Sequence, residues 1–221
     1  MFPNAHNGVK KLFTAEILDL LGVVAMTLAV IFATLFATAA AAESAGAAIG
    51  FGAGLIVFGI GAGTLGIIAT ILTIVGLKRA GIDEVNFKHG LIFALIALAL
   101  SVGSSILSAA AGKTIFDDLL SGLYSIATAC VTLCVVRGIG VLAEKLGNQA
   151  MASKGRRLYI FYAVLLIASA VLRFVSGILG NKPGFATVVL PLVLIAAIGS
   201  VVAYIIYLVY LAQAKKMLAE N

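Results

Sequence analysis

Residues 90–111 read GLIFALIALALSVGSSILSAAA, twenty-two in a row without a charge. An α-helix rises about 1.5 Å per residue and the hydrocarbon core of a bilayer is about 30 Å thick, so about 20 such residues cross it. Five further stretches have the same character. They run from Ile17 to Ala40, Ala47 to Leu77, Leu119 to Ala143, Leu158 to Gly180 and Thr187 to Ala212. Short polar or Gly/Pro-marked connections separate them: Glu43-Ser44, 78–88, 112–118, 144–157 and 180–184. No segment outside these runs is long enough to be a domain. Lipid offers the backbone no hydrogen bonds, so each crossing must satisfy its own, and an isolated segment does that only as a helix. The expected fold is all-α: one polytopic transmembrane bundle of six helices spanning residues 1–221.

Composition points the same way. Of 221 residues, 62% are hydrophobic and 11% charged, where a soluble domain carries about 25% charged residues. There is too little polar surface to cover a water-soluble globule. That excludes a soluble enzyme, a disordered chain and a nucleic-acid-binding domain. The net charge of +6, from 15 Lys and Arg against nine Asp and Glu, belongs to membrane topology instead. No basic stretch is interleaved with aromatics in a soluble segment.

The cations also set the orientation. With six crossings, one face holds Lys10, Lys11, Lys78, Arg79, Lys88, Lys145, Lys154, Arg156, Arg157, Lys215 and Lys216. The other holds Lys113 and Lys182. Positive charge stays on the cytoplasmic side, so a multi-pass protein of the cell membrane with both termini cytoplasmic is expected. Lys10-Lys11, an apolar run and Ala-Thr-Ala-Ala-Ala-Ala (37–42) together look like a secretory leader. The run exceeds the 7–15 residues of a leader's apolar region, so cleavage is not expected.

Aligning Lys11, Lys88 and Arg157 starts three apolar helices in register, and 16 residues on stand Thr27, Ser104 and Arg173. The even-numbered helices share a weaker theme. Gly59, Gly63, Gly66 and Thr70 match Ser121, Ser125, Thr128 and Thr132, and then Ala196, Ser200, Ala203 and Tyr207. Three two-helix hairpins inserted the same way is one reading; chance likeness among apolar runs is the other.

Few residues can carry chemistry. Helix 2 holds eight glycines, and Gly59, Gly63 and Gly66 are expected to pack closely against a neighbouring helix, as small residues do in membranes. GFGAG at 50–54 is either packing of the same kind or a helix break that exposes backbone to a solute. Glu16 and Asp19 share one face of helix 1. With Thr14 before them, capping of the helix start competes with a functional role. Asp19 has Arg137 as its partner by depth. Arg173 lies deep in helix 5, where charge is costly and is usually paired or wet. Asp117 or Asp118 is its expected partner.

Ser101, Ser104, Ser105 and Ser108 line one side of helix 3, and with the hydroxyls of helix 4 they either bond neighbouring helices or line a wet path. Tyr159, Phe161, Tyr162, Tyr204, Tyr207 and Tyr210 are expected to form an interfacial aromatic belt. Cys130 and Cys134, four apart on one helix, read as apolar fillers. His6 and His89 stand near segment ends, so no metal site and no cofactor is expected. Neither HExxH nor GxSxG nor a phosphate-binding loop occurs, and the protein is expected not to be an enzyme.

Two functions lead, and a membrane enzyme acting on lipid stands a distant third. One is a small transporter or channel-like protein with a polar path or ligand contact at Arg173, Ser104, Thr27, Glu16, Asp19 and Arg137. The other is a non-catalytic packing or accessory protein that binds lipid or a partner subunit. Beyond the bilayer, a homo-oligomer or a partner membrane subunit is the expected company, and nucleic acid is not.

Overall fold

The computed structural model describes residues 2–41, 45–111, 115–179 and 185–220, with the side chains at 45–48, 110–111, 115, 117–118, 172–179, 185–190 and 193 set aside. Six helices follow one another: α1 (Pro3–Ala41), α2 (Ala45–Asp83), α3 (Val85–Ala111), α4 (Ile115–Lys145), α5 (Gln149–Leu179) and α6 (Phe185–Ala219). Among the described residues five of them, all but α5, are long and apolar enough to cross a membrane. The chain is a multi-pass, all-α membrane protein. Bulky side chains such as Val23, Ile60, Ile67 and Ile195 stand exposed along these helices, as they should where the solvent is lipid.

The helices outrun the apolar stretches. α1 begins at Pro3, some 14 residues before the apolar run, so Thr14, Glu16 and Asp19 lie well inside it. They do not cap its start, and the Thr14 hydroxyl donates to the Lys10 carbonyl of its own helix at 3.0 Å. Residues 78–88, read as a connection, are helix except for Glu84. The connection expected at 144–157 shrinks to Leu146, Gly147 and Asn148, so Lys154, Arg156 and Arg157 are helical. Backbone hydrogen bonds run on past the membrane wherever the flanking residues can propagate a helix.

The α4–α5 connection shows how the chain stops and restarts. Gly147 takes a φ of +73°, a conformation that costs other L-residues about 1–2 kcal/mol. Its N–H donates to Glu144 O, and that of Asn148 to Ala143 O at 2.9 Å, which closes the last turn of α4 as a Schellman motif. The Asn148 side chain then accepts from the Met151 N–H at 3.0 Å and caps α5.

The chain divides into two compact units. The first comprises Met1–Val9 and Leu77–Asn221. In it α4 packs against α3, α5 and α6, and α5 against α6. Its core gathers Ala5, Val9, Leu77, Phe87, Ile139, Leu142 and Leu211, all fully buried. The Phe87 ring lies on Gly138, where a Cβ would come within 2.8 Å of it.

The second unit comprises Lys10–Gly76. Phe32 stacks on Phe58 with ring centroids 5.4 Å apart and meets Phe51 at 6.3 Å. Gly54 sits under the Phe32 ring, where a Cβ would come within 2.6 Å. GFGAG is continuous helix, so the break considered for it does not occur. The close approach expected at Gly59, Gly63 and Gly66 falls elsewhere: a Cβ built on any of the three meets no atom within 4 Å. Aromatic bulk decides this. Phe32 and Phe36 fill the space over Gly54 and Gly52, while the residues around Gly63 bring nothing comparable.

Candidate functional site

Two arrangements in the first unit hold polar groups together. One is a clamp at the helix ends. Glu84, the single residue between α2 and α3, is only 7% exposed. Its Oε2 accepts from Lys145 Nζ at 2.6 Å and its Oε1 from Asn86 Nδ2 at 2.8 Å. Burial pushes its carboxyl up, but Lys145 and Asn86 together outweigh that and hold it below its ordinary value. Beside it in sequence, Asp83 accepts from the Ala5 N–H at 2.7 Å and from Asn4 Nδ2 at 3.1 Å. The first N–H groups of a helix have no partner inside it. Pro3 opens α1 with no donor of its own, and the end of α2 supplies the capping carboxylate that Phe2 cannot. Glu84, Lys145, Asp83 and Asn4 were all legible as polar residues near helix ends. Their pairing was not, because partners 61 and 79 residues apart leave no local pattern.

The other arrangement is a cavity of about 630 Å³ between α4, α5 and α6. Ser125, Ser169, Ser200 and Tyr162 supply its polar groups, with Leu123, Ile126, Leu165 and Leu166 among its apolar walls. The Ser125 hydroxyl donates to Ser121 O at 2.9 Å and Ser200 to Ala196 O at 2.8 Å. With their protons turned back onto the helix, both oxygens are left as acceptors. Ser105, Thr128 and Thr132 also donate to the carbonyl four residues earlier. These hydroxyls therefore donate within their own helix and not to a neighbouring one, the first of the two roles considered for them. A hydroxyl finds its own i−4 carbonyl first, since no second helix has to approach it. Ser125 and Ser200, which the three-hairpin reading of the sequence aligns, both line this cavity.

Of the residues expected to form a polar path, Ser104 and Arg137 are the described ones that belong to this unit. In this unit Ser104 is half-buried and Arg137 exposed, and neither lines the cavity. In the second unit Thr27 is exposed and donates to Val23 O at 2.9 Å, Glu16 is half-buried and Asp19 exposed. The pairing expected between Arg173 and Asp117 or Asp118 falls on side chains outside the described residues. Ser169 is the wall residue that sequence reasoning missed. The hairpin register matched Ser125 and Ser200 on the even helices and gave no reason to single it out.

The aromatic belt needs correcting too. Tyr207 is 2% and Tyr210 3% exposed, so both are core residues. Tyr162 meets Tyr207 edge to face at 6.0 Å. Among the described residues the Tyr210 hydroxyl has no hydrogen-bond partner, and it lies where a Cβ on Gly155 would overlap it. Glycine at 155 is what lets this ring in. His6 Nδ1 is likewise buried without a partner among the described residues. Comparison with protein families, curated proteins and solved structures finds no match for this chain.

Proposed function

We propose that this multi-pass membrane protein is a small transporter that takes a compact, uncharged solute bearing hydrogen-bond donors into the α4–α5–α6 cavity. The observation that supports it is the wall chemistry: hydroxyl oxygens of Ser125 and Ser200, on two helices, are left as acceptors, with Ser169 and Tyr162 beside them, in a mainly apolar space of about 630 Å³. Binding sites for small molecules occupy about 300–1,000 Å³ and are mainly apolar with a few placed polar groups. Among the described residues no Asp, Glu, Lys or Arg lines the cavity, which favours an uncharged solute. The protein is read as non-catalytic. It lies in the cell membrane with both termini cytoplasmic, on the strength of the cation asymmetry.

The test is uptake into proteoliposomes of a panel of neutral alcohols, amides and phenols. Saturable uptake of at least one, abolished by Ser125→Phe, is the expected result. Uptake no faster than in protein-free liposomes across the panel would leave the second reading, a non-catalytic accessory protein that binds lipid or a partner subunit. A specific observation favours that alternative: the buried acid Glu84 and its neighbour Asp83 are spent on structural contacts at helix ends.

A further inference from the structure

A second cavity, of about 500 Å³, opens between α5 and α6. Its polar end carries Lys154 and Arg157, and its body is formed by Leu158, Phe161, Ile206 and Val209. Lys154 and Arg157 are three apart on α5, hence on one face, and both are exposed. Among the described residues no acid lines the groove. Lys154 Nζ is held at 3.3 Å by Gln213 Oε1, a neutral partner that orients the ammonium without cancelling it. The apolar run of α5 begins at Leu158, directly after these cations. The charges therefore stand where hydrocarbon gives way to headgroups, and the apolar lining continues from there into the membrane.

We infer that the α5–α6 groove binds an anionic phospholipid, with its phosphate on Lys154 and Arg157 and an acyl chain along Phe161, Ile206 and Val209. A guanidinium presents a planar fork that matches two phosphate oxygens, and the ammonium adds a point charge beside it. A zwitterionic lipid has the same phosphate but brings its own cation toward Lys154 and Arg157. Free phosphate lacks the chain that the groove accommodates. Basic pockets between membrane helices are a recognised form of headgroup site. The lipid site is independent of whether the α4–α5–α6 cavity moves a solute, because the two share helices α5 and α6 but no lining residue.

The full-length protein in a non-ionic detergent, mixed with equal amounts of dioleoyl-phosphatidylglycerol and dioleoyl-phosphatidylcholine, tests this by native mass spectrometry. Bound phosphatidylglycerol should exceed bound phosphatidylcholine by about 25-fold, since each of the two cations near a lipid headgroup contributes roughly fivefold. In the double variant Lys154→Gln, Arg157→Gln the ratio should fall below about twofold. Both positions are exposed, so the fold should survive. The charge-matched variant Lys78→Gln, Arg79→Gln should keep the preference, because neither residue lines the groove. Val209→Phe, which fills the groove and leaves the cations, should weaken phosphatidylglycerol binding at least fivefold. Equal binding of the two lipids overturns the proposal, as does equal loss in the charge-matched variant or unchanged binding in Val209→Phe. Full displacement of the lipid by millimolar inorganic phosphate would show a free-anion site instead.

Discussion

Glu84 and Tyr210 are two buried polar residues in opposite circumstances. Glu84 has both carboxylate oxygens satisfied, and Lys145 is the larger part of what keeps it charged. Replacing Lys145 by Met removes that partner from a carboxylate that stays buried, and should cost about 1–3 kcal/mol. The sign of the pH effect follows from the direction of the shift. The folded-state pKa of Glu84 is lowered, so its contribution is present above the unfolded value of 4.5 and is lost as pH falls through the lower folded value. Detergent-solubilised protein should therefore show a melting temperature that declines with acid below pH 4.5, and Glu84→Gln should flatten that part of the profile. An identical acid limb in Glu84→Gln would remove Glu84 as its source. Tyr210 is the reverse case. Its unpartnered hydroxyl carries a desolvation cost of about 1–3 kcal/mol, so Tyr210→Phe should match or exceed the wild-type melting temperature. Gly155→Ala should be strongly destabilising alone and less so beside Tyr210→Phe, because the overlap is with the hydroxyl. Additive effects in that double variant would show that the hydroxyl is not the obstacle.

At the scale of elements, glycine content alone misleads about packing. α2 carries glycines along most of its length, yet the tight ones are Gly54, against Phe32 of α1, and Gly81, against Lys88. Gly54→Ala drives a Cβ into the Phe32 ring, near its attachment rather than its free end, and overpacking of this kind costs about 1–3 kcal/mol. Gly59→Ala meets open space and should be neutral or stabilising by up to about 1 kcal/mol, since alanine is the better helix former. Thermal melts of the two variants side by side check the contrast; a Gly59→Ala variant as damaged as Gly54→Ala would contradict it. The existence of every helix was legible from the apolar runs, with boundaries that erred inward. A hydropathy pattern ends where the membrane ends, while a helix ends where its hydrogen bonds are capped. At Asn148 that signal was present in sequence, as Gly-Asn after a run ending in lysine, but it lies outside the apolar stretch. At the start of α1 the cap is Asp83, and nothing near Pro3 announces it.

For the whole molecule, the distribution of cations is the property that most directly dictates behaviour in a cell. Asn7 and Glu220 are exposed positions near the two ends. In a chain carrying Cys130→Ala and Cys134→Ala, single cysteines at Asn7 and Glu220 should react with a membrane-impermeant maleimide only after the cells are permeabilised. Labelling of either from outside intact cells would reverse the orientation or change the number of crossings. The cysteines belong at these sites rather than at Ala5, which is fully buried with its N–H held by Asp83.

The amino-acid sequence by itself determined the class of protein, the number and order of its helices, and the solvent they face. Each of those depends on summed transfer free energy along a contiguous run, a quantity that any 20-residue window contains. Only the tertiary structure decided that Asp83 caps a helix beginning 80 residues earlier, that Glu84 closes on Lys145, and that Tyr207 and Tyr210 are core rather than interface. It also decided that Ser125, Ser169 and Ser200 share one cavity while Lys154 and Arg157 head another. Those outcomes depend on which faces of different helices meet. In a chain this uniformly apolar the faces differ too little in hydropathy for periodicity to assign them, and the choice passes to shape, with aromatic rings seated on glycines and polar groups left to find partners wherever the packing puts them.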